Sequence, residues 1–102
     1  MKTSGGYVVV LREYITGAEH REIRAIYMRA LKQPEKEQDA SKMAFEADNK
    51  AIELAVVSVD GVANDVVNLV LALPLPDFNE VIAAVTELVE GKKKSETLSQ
   101  AT

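Results

Sequence analysis

The sequence predicts a mainly α fold, with about four helices in one small domain and a short β-strand near the N-terminus. A length of 102 residues fits one domain. Apolar residues recur with the 3.6-residue period of amphipathic helices, and Pro34, Asp60-Gly61 and Pro74 interrupt that pattern. Hydrophobic residues make up 47% of the chain, which is enough to form a core. The chain has no cysteine, so the fold does not rely on disulfide bonds.

The first predicted element is a strand. Residues 1–6 are small and polar and read as a flexible lead-in, whereas residues 7–11 are aromatic and β-branched, as in strands. A single strand leaves its backbone groups unpaired. It would pair with another chain, pair with residues 56–59, or end against the helices.

The next two elements are predicted to be helices. Thr16 and Glu19 have the spacing of a capping box. The helix that follows, over residues 17–32, has one apolar face, formed by Ile23, Ile26, Tyr27, Ala30 and Leu31. Charged residues after Pro34 form a linker, and a second helix begins at Asp39 or Ser41 and runs to about Val56.

Two further helices complete the predicted domain, which spans residues 7–90. Residues 62–73 are apolar nearly all round, which indicates a central core helix or a helix that meets a partner. Pro76 or Asp77 opens the fourth helix. The apolar period stops after Val89, and residues 91–102 are expected to be a disordered tail.

Charge is distributed unevenly along the chain. Residues 1–42 carry a net charge of +2, residues 43–90 carry −8, and residues 91–102 carry +2, which sum to −4. Because nucleic-acid binding needs clustered positive charge, the acidic stretch disfavours a helical DNA-binding regulator. Arg21, Arg24 and Arg29 lie among Glu19 and Glu22, so we interpret them as a solvated helix face rather than a phosphate-binding face.

No pattern predicts catalysis, a cofactor or a metal. His20 is the only histidine, and without a neighbouring nucleophile it reads as a solvent-exposed side chain. The pairs Glu19/Glu22 and Asp77/Glu80 have a spacing that can hold a cation, yet both stand in first turns, where the helix dipole favours acids. The sequence therefore does not predict an enzyme.

Function is expected to reside in apolar surfaces. No segment has the length of a membrane span or the pattern of a secretory signal, so we expect an unexported protein that does not bind membranes. The predicted strand and third helix supply the candidate interface for self-association or a partner: Tyr7, Val8, Val9, Val10, Leu11, Val66, Leu69, Val70 and Leu73.

The order of several segments resembles the tail assembly chaperones of long-tailed, siphovirus-like bacteriophages. The resemblance covers about residues 7–90, and it is carried by Leu11-Arg12-Glu13-Tyr14-Ile15-Thr16-Gly17, Arg21-Glu22-Ile23-Arg24, Val57-Ser58-Val59-Asp60-Gly61, Leu73-Pro74 and Asp77-Phe78. It implies a non-enzymatic, homo-oligomeric protein of the host bacterial cytoplasm. Such a protein coats the tape measure protein, helps to recruit the tail tube protein, and is absent from the mature virion.

A programmed ribosomal frameshift is a further expectation of this resemblance, because many such phages make a longer second product that would recruit the tail tube protein. Codons for Glu90-Gly91-Lys92 can contain the slippery heptamer G GGA AAA, and those for Lys92-Lys93-Lys94 can contain A AAA AAG. A helix end at Gly91, followed by lysines that complement the helix dipole, explains the same residues equally well.

The alternative function is a small bacterial or phage regulatory adaptor that binds one protein partner. A very long, helix-rich downstream reading frame would distinguish the chaperone from the adaptor.

Overall fold

A computed structural model describes residues 1–32, 34 and 39–91 of the chain. Within it, four helices and two short strands follow in the order β1 (Val9–Leu11), α1 (Gly17–Leu31), α2 (Ala40–Ala55), β2 (Val56–Val59), α3 (Val66–Leu71) and α4 (Leu75–Val89). The predicted mainly α fold is confirmed. No helix in the described ranges is both long and apolar enough to span a membrane.

The capping box predicted at the start of α1 is formed. The Thr16 hydroxyl accepts the Glu19 backbone N–H at 3.1 Å, and the Glu19 carboxylate accepts the Thr16 backbone N–H at 2.9 Å. Asp39 caps α2 by accepting the backbone N–H of Lys42 at 3.0 Å. Hydrogen bonds between residues three apart in the sequence therefore determine where both helices begin.

The predicted strand pairs within the chain rather than being left open for another copy. β1 and β2 are antiparallel, with Val9 opposite Val59 and Val10 opposite Ser58, and a bulge follows Val10. β2 begins directly where α2 ends, and the Val56 N–H still donates to the helical carbonyl of Ile52. Of the alternatives that the sequence left open, pairing with residues 56–59 is the one observed.

The first six residues are not a flexible lead-in, and we correct that prediction. They fold back along the outer edge of β1: Val9 donates to the Met1 carbonyl at 2.8 Å, and Thr3 donates to the Tyr7 carbonyl at 2.9 Å. The Thr3 side chain is buried and accepts the Tyr7 N–H at 3.1 Å. β1 is thus flanked on both edges, a long-range arrangement that the polar composition of residues 1–6 did not indicate.

The third helix is much shorter than predicted. Asp60 and Asp65 both adopt left-handed backbone conformations, with φ of 48° and 57°. The turn at Asp60 brings Val62 back beside Val59, so Val62 pairs with a strand rather than opening a helix. Apart from Asn64, Asp65 and Asn68, the residues of the loop and the helix are all apolar, which is why their pattern predicts a single helix over 62–73.

The core has two parts. The larger one, between the strands, α2, α3 and α4, includes the fully buried side chains Val9, Ile52, Val70, Val81 and Val85. The smaller one joins α1 to α2 through Ile23, Ile26 and Ala47. Tyr27 and Leu31, predicted on the apolar face of α1, are instead 41% and 64% exposed, because α1 packs chiefly against one neighbour, α2.

Part of the predicted tail and linker lies outside the described residues. Gly91 follows α4 with φ of 77°, as expected for glycine at a helix end. The expectations for residues 92–102, including the frameshift codons of Lys92–Lys94, and for most of the linker after α1 fall outside the described residues.

Candidate interaction surfaces

The predicted interface divides into a buried and an exposed part. Val9, Val66 and Val70 lie in the core of their own chain, with exposed fractions of 0%, 9% and 0%. They cannot contact a partner while the domain is folded, so we remove them from the interface. The half-buried side chains of Leu11, Leu69 and Leu73 also pack on this core, and Tyr7 is half-buried.

Val8 and Val10 are the predicted interface residues that do face solvent. They flank the buried Val9, as alternation along a strand requires. Across the sheet, Val57 lies in the bulged region between the buried Val56 and the half-buried Ser58, and is likewise exposed, at 46%. We call Val8, Val10 and Val57 the valine face.

Both backbone groups of Val8, at the edge of the valine face, are already hydrogen-bonded within the chain. The Val8 carbonyl accepts the backbone N–H of Asp60 at 2.7 Å, and the Val8 N–H donates to Asp60 Oδ1 at 2.8 Å. A partner would therefore dock on apolar surface here, without adding a strand to β1.

The carboxylates of Asp77 and Glu80 hold the N-terminal turn. Asp77 Oδ1 accepts the Gly5 N–H at 2.7 Å, and Glu80 Oε1 accepts the Ser4 N–H at 3.0 Å. Asp77 is buried, with 4% of its surface exposed. Asp77 lies in the first turn of α4, as the sequence indicated, whereas Glu80 lies beyond it. Their tertiary role had no signal in the sequence, because the partners lie more than 70 residues away.

Glu19 joins the start of α1 to the segment that follows β1. Its carboxylate forms a bidentate pair with Arg12, with N–O distances of 2.7 and 2.9 Å, and Arg12 Nη1 also donates to the Leu54 carbonyl at 3.0 Å. The hydrogen bonds from Arg12 and from the Thr16 backbone lower the pKa of Glu19 to about 2. This pair ties β1, α1 and α2 together.

Glu22, the other acid of α1, pairs with α2. Its Oε1 lies 3.0 Å from Nζ of Lys50, which also lies 3.3 Å from Glu53 Oε2. The hydrogen bonds that the Lys50 ammonium donates to these two carboxylates raise its pKa. Both acids of α1 are thus engaged within the chain.

The three arginines of α1 and Lys32, which follows the helix as its C-cap, are not engaged in the same way. Arg21, Arg24, Arg29 and Lys32 are all exposed, and none forms an ion pair with a residue in the ranges 1–32 and 39–91. We call these four residues the basic face. Three large apolar side chains on α1 are also exposed, namely Tyr27, Met28 and Leu31.

An open groove of about 380 Å³ lies beside the basic face, between α1 and the start of α2. Its apolar floor includes Ile26 and Met43, and charged side chains of both signs surround it, including Arg29, Asp39 and Glu46. The groove therefore carries charges of both signs, and Arg29 belongs both to it and to the basic face.

The only histidine of the sequence is less exposed than predicted. His20 is half-buried near the start of α1, where its backbone N–H donates to the Thr16 carbonyl at 2.9 Å. Among the described residues, no group of three or more histidine and acidic side chains is placed to hold a metal ion. Comparison with protein families, with characterised proteins and with solved structures found no match.

Proposed function

We propose that this protein is a non-enzymatic tail assembly chaperone of a long-tailed bacteriophage, acting in the host bacterial cytoplasm. It self-associates and covers apolar stretches of a long helical client, the tape measure protein. It helps to recruit the tail tube protein through a longer frameshifted product, and it leaves before the virion is complete. The proposal starts from the segment order that resembles this family and is supported by the surface of the folded domain.

The observation that carries the proposal is the amount of exposed apolar surface. Twelve large hydrophobic side chains of the described residues are exposed, as many as the hydrophobic residues that form the buried core. Scattered exposed apolar residues are ordinary, but the valine face groups Val8, Val10 and Val57 on one short sheet. Grouped apolar side chains favour contact with another protein.

The valine face suits a chaperone because its contacts need no sequence-specific hydrogen bonds. Burying three valines contributes through removal of apolar area from water, at roughly 25 cal/mol per Å². Each contact is therefore weak and interchangeable, and many copies acting together would cover a long client. Because many copies must lie side by side to cover a long client, we expect the copies to self-associate along it.

Co-expression with the candidate client provides the test. We would produce the chain with the product of the long, helix-rich reading frame downstream at its native locus, and measure the amount of soluble client and the ratio of the two proteins by light scattering. The proposal predicts many copies per client, and a client that precipitates when the chain is omitted.

Paired variants connect the result to the valine face. Val8→Thr combined with Val10→Thr keeps β-branched side chains and reduces apolar surface, so the domain stays folded while client solubility falls. Leu71→Gln is the control, because Leu71 is 49% exposed on α3, outside the valine face. A single copy bound per client would favour the adaptor instead, and a client equally soluble alone would refute the chaperone.

A further inference from the structure

We propose that the basic face of α1 binds an acidic amphipathic helix of a partner protein. This inference stands on the charge and packing of α1 and goes beyond the chaperone proposal, which relies on the valine face. Its probe, its variants and its readout are separate, so either proposal can fail without the other.

α1 is a helix with one packed side. Of its fifteen residues, only Ile23 and Ile26 are buried, and the helix packs chiefly against α2. The opposite side faces solvent along the whole element. A face of this length is available to a second helix, which packs on it by fitting side-chain ridges into grooves.

Positive charge remains on that side because the acids of α1 are used internally. Glu19 binds Arg12 and Glu22 binds Lys50, as the distances of 2.7 and 3.0 Å show. The sequence places these acids among the arginines, which suggests a balanced, solvated face. In the folded domain, both acids instead pair with cations from other segments of the chain. They therefore do not neutralise the arginines of α1.

Neither the helix dipole nor an ion pair within the described residues accounts for the charges of Arg21 and Arg24. They lie one turn apart on α1, where like charges repel and weaken the helix. Arg21 lies in the N-terminal half of α1 and Arg24 at its middle, so both are away from the C-terminal turn, where cations are favoured by the dipole. Within the described chain they have no acidic partner. A partner that supplies negative charge would relieve this repulsion.

The arrangement of side chains specifies an amphipathic partner. At about 100° per residue, Arg21, Met28 and Lys32 fall within about 40° of one another around the helix axis, and Leu31 lies beside Arg24. Met28 and Leu31 are 53% and 64% exposed. Apolar side chains are thus bracketed by cations over about 16 Å. A helix with a leucine stripe flanked by Asp or Glu complements this surface in polarity and charge.

Nucleic acid matches the surface less well than an acidic helix does. The groove next to Arg29 carries Asp39 and Glu46 on its walls, and residues 43–90 have a net charge of −8. A phosphate backbone, with a negative charge about every 1.7 Å of duplex, would meet these acids. A single short helix can lie on α1 alone.

A designed peptide tests the proposal directly. Because the chain contains no tryptophan, an 18-residue helical peptide with a leucine stripe, glutamate flanks and one tryptophan reports binding by its fluorescence. The comparison ligands are the same peptide with lysine flanks and a 20-base-pair DNA duplex carrying a fluorophore. We expect saturable binding of the acidic peptide, which weakens as salt is raised, and no saturation with the lysine peptide.

Two variants of equal net charge locate the site. Arg21→Gln combined with Arg24→Gln changes the charge by −2 and should weaken binding of the acidic peptide at least tenfold. Lys2→Glu also changes the charge by −2 but lies beside β1, and should weaken binding less than twofold. Circular dichroism checks that both variants keep their helices.

Three results would overturn the proposal. They are failure of the acidic peptide to bind the wild-type chain, an equal loss of affinity in both variants, and tighter binding of the DNA duplex than of the acidic peptide. The last result would assign the basic face to nucleic acid.

Discussion

Asp77 is a buried carboxylate whose partner is a backbone N–H near the other end of the chain. It accepts from Gly5 at 2.7 Å, and a Cβ added to Gly5 would lie 2.6 Å from Asp77 Oδ1. Such a distance is too short for non-bonded atoms. Gly5 is therefore required by close approach, at a position where the sequence shows only a small, polar segment.

Replacing Gly5 with alanine should destabilise the protein by about 1–3 kcal/mol, because the new methyl group displaces Asp77 and leaves its buried oxygen without this hydrogen bond. The measurement is the free energy of unfolding in urea. Gly17→Ala is the control: nothing lies within 4 Å of a Cβ there, and alanine at a helix start should stabilise by up to about 1 kcal/mol. Equal stability of the two variants would show that Gly5 does not contact Asp77.

Glu19 should make stability depend on pH. Its pKa is lowered from 4.5 to about 2 by Arg12 and Thr16, so the charged carboxylate stabilises the fold above pH 4.5. This contribution is lost as the pH falls toward 2, because protonation removes the pair. Glu19→Gln should therefore be less stable than wild type at pH 7, and the difference in urea midpoint should shrink between pH 4.5 and 2.

Glu13→Gln serves as the matched control for that measurement. Glu13 is exposed in the same connection and has no ion pair with a residue in the described ranges. Its substitution should leave the urea midpoint close to wild type. A difference for Glu19→Gln that stays constant from pH 7 to 2 would contradict the assigned role of its charge.

At the scale of elements, β1 shows what the composition of a segment predicts and what it does not. The aromatic and β-branched composition of residues 7–11 predicts the strand, which forms over Val9–Leu11. It does not predict which valines face inward, because Val8, Val9 and Val10 are identical. The register with β2 decides this: Val9, opposite Val59, is fully buried, while Val10, opposite Ser58, is 44% exposed.

The same substitution at Val9 and Val10 should separate the two faces of β1. Val9→Thr places a hydroxyl in the core and should cost about 1–3 kcal/mol. Val10→Thr keeps a β-branched side chain in contact with solvent and should stay within about 0.5 kcal/mol of wild type. Urea denaturation measures both. A loss at Val10 with none at Val9 would indicate a register shifted by one residue, and similar losses at both positions would contradict the assigned burial.

α1 and α3 show why sequence patterns predict some helix boundaries and helix faces wrongly. The start of α1 is determined by Thr16 and Glu19, which are three residues apart in the sequence, and it is found where predicted. The apolar face of α1 is narrower than predicted because α2 is its main neighbour. α3 is short because left-handed Asp65 delays its start, and a non-glycine residue gives no clear signal of that conformation.

At the scale of the whole molecule, charge is separated between surfaces as well as along the chain. The positive N-terminal part includes the basic face of α1, and the acidic part includes α2, the loop before α3, and α4. The fold uses several acids to fasten its own segments, as Glu19, Glu22 and Asp77 illustrate. The net charge of the chain therefore does not predict the charge of any one surface.

The frameshift hypothesis gives a prediction for the whole gene product. Mass spectrometry of protein from the native locus should show a minor, longer species that shares residues 1 to about 93 and differs afterwards. Silent codon changes that remove the slippery heptamer and keep Gly91 to Lys94 should abolish it. The core residues all precede residue 90, so both species should contain the same folded domain. Absence of the longer species, or its survival after the codon change, would refute the frameshift.

Sequence alone determined the helical class, the cap of α1 and the strand-forming character of residues 7–11, because these depend on side-chain spacing within a few residues. Tertiary structure alone decided which apolar residues form the core and which charges remain free. It buried Val9, Val66 and Val70 and exposed Val8 and Val10. It also engaged the acids of α1 within the chain and left its arginines exposed. Burial and ion pairing join residues distant in sequence, and no local pattern records which pairs will meet.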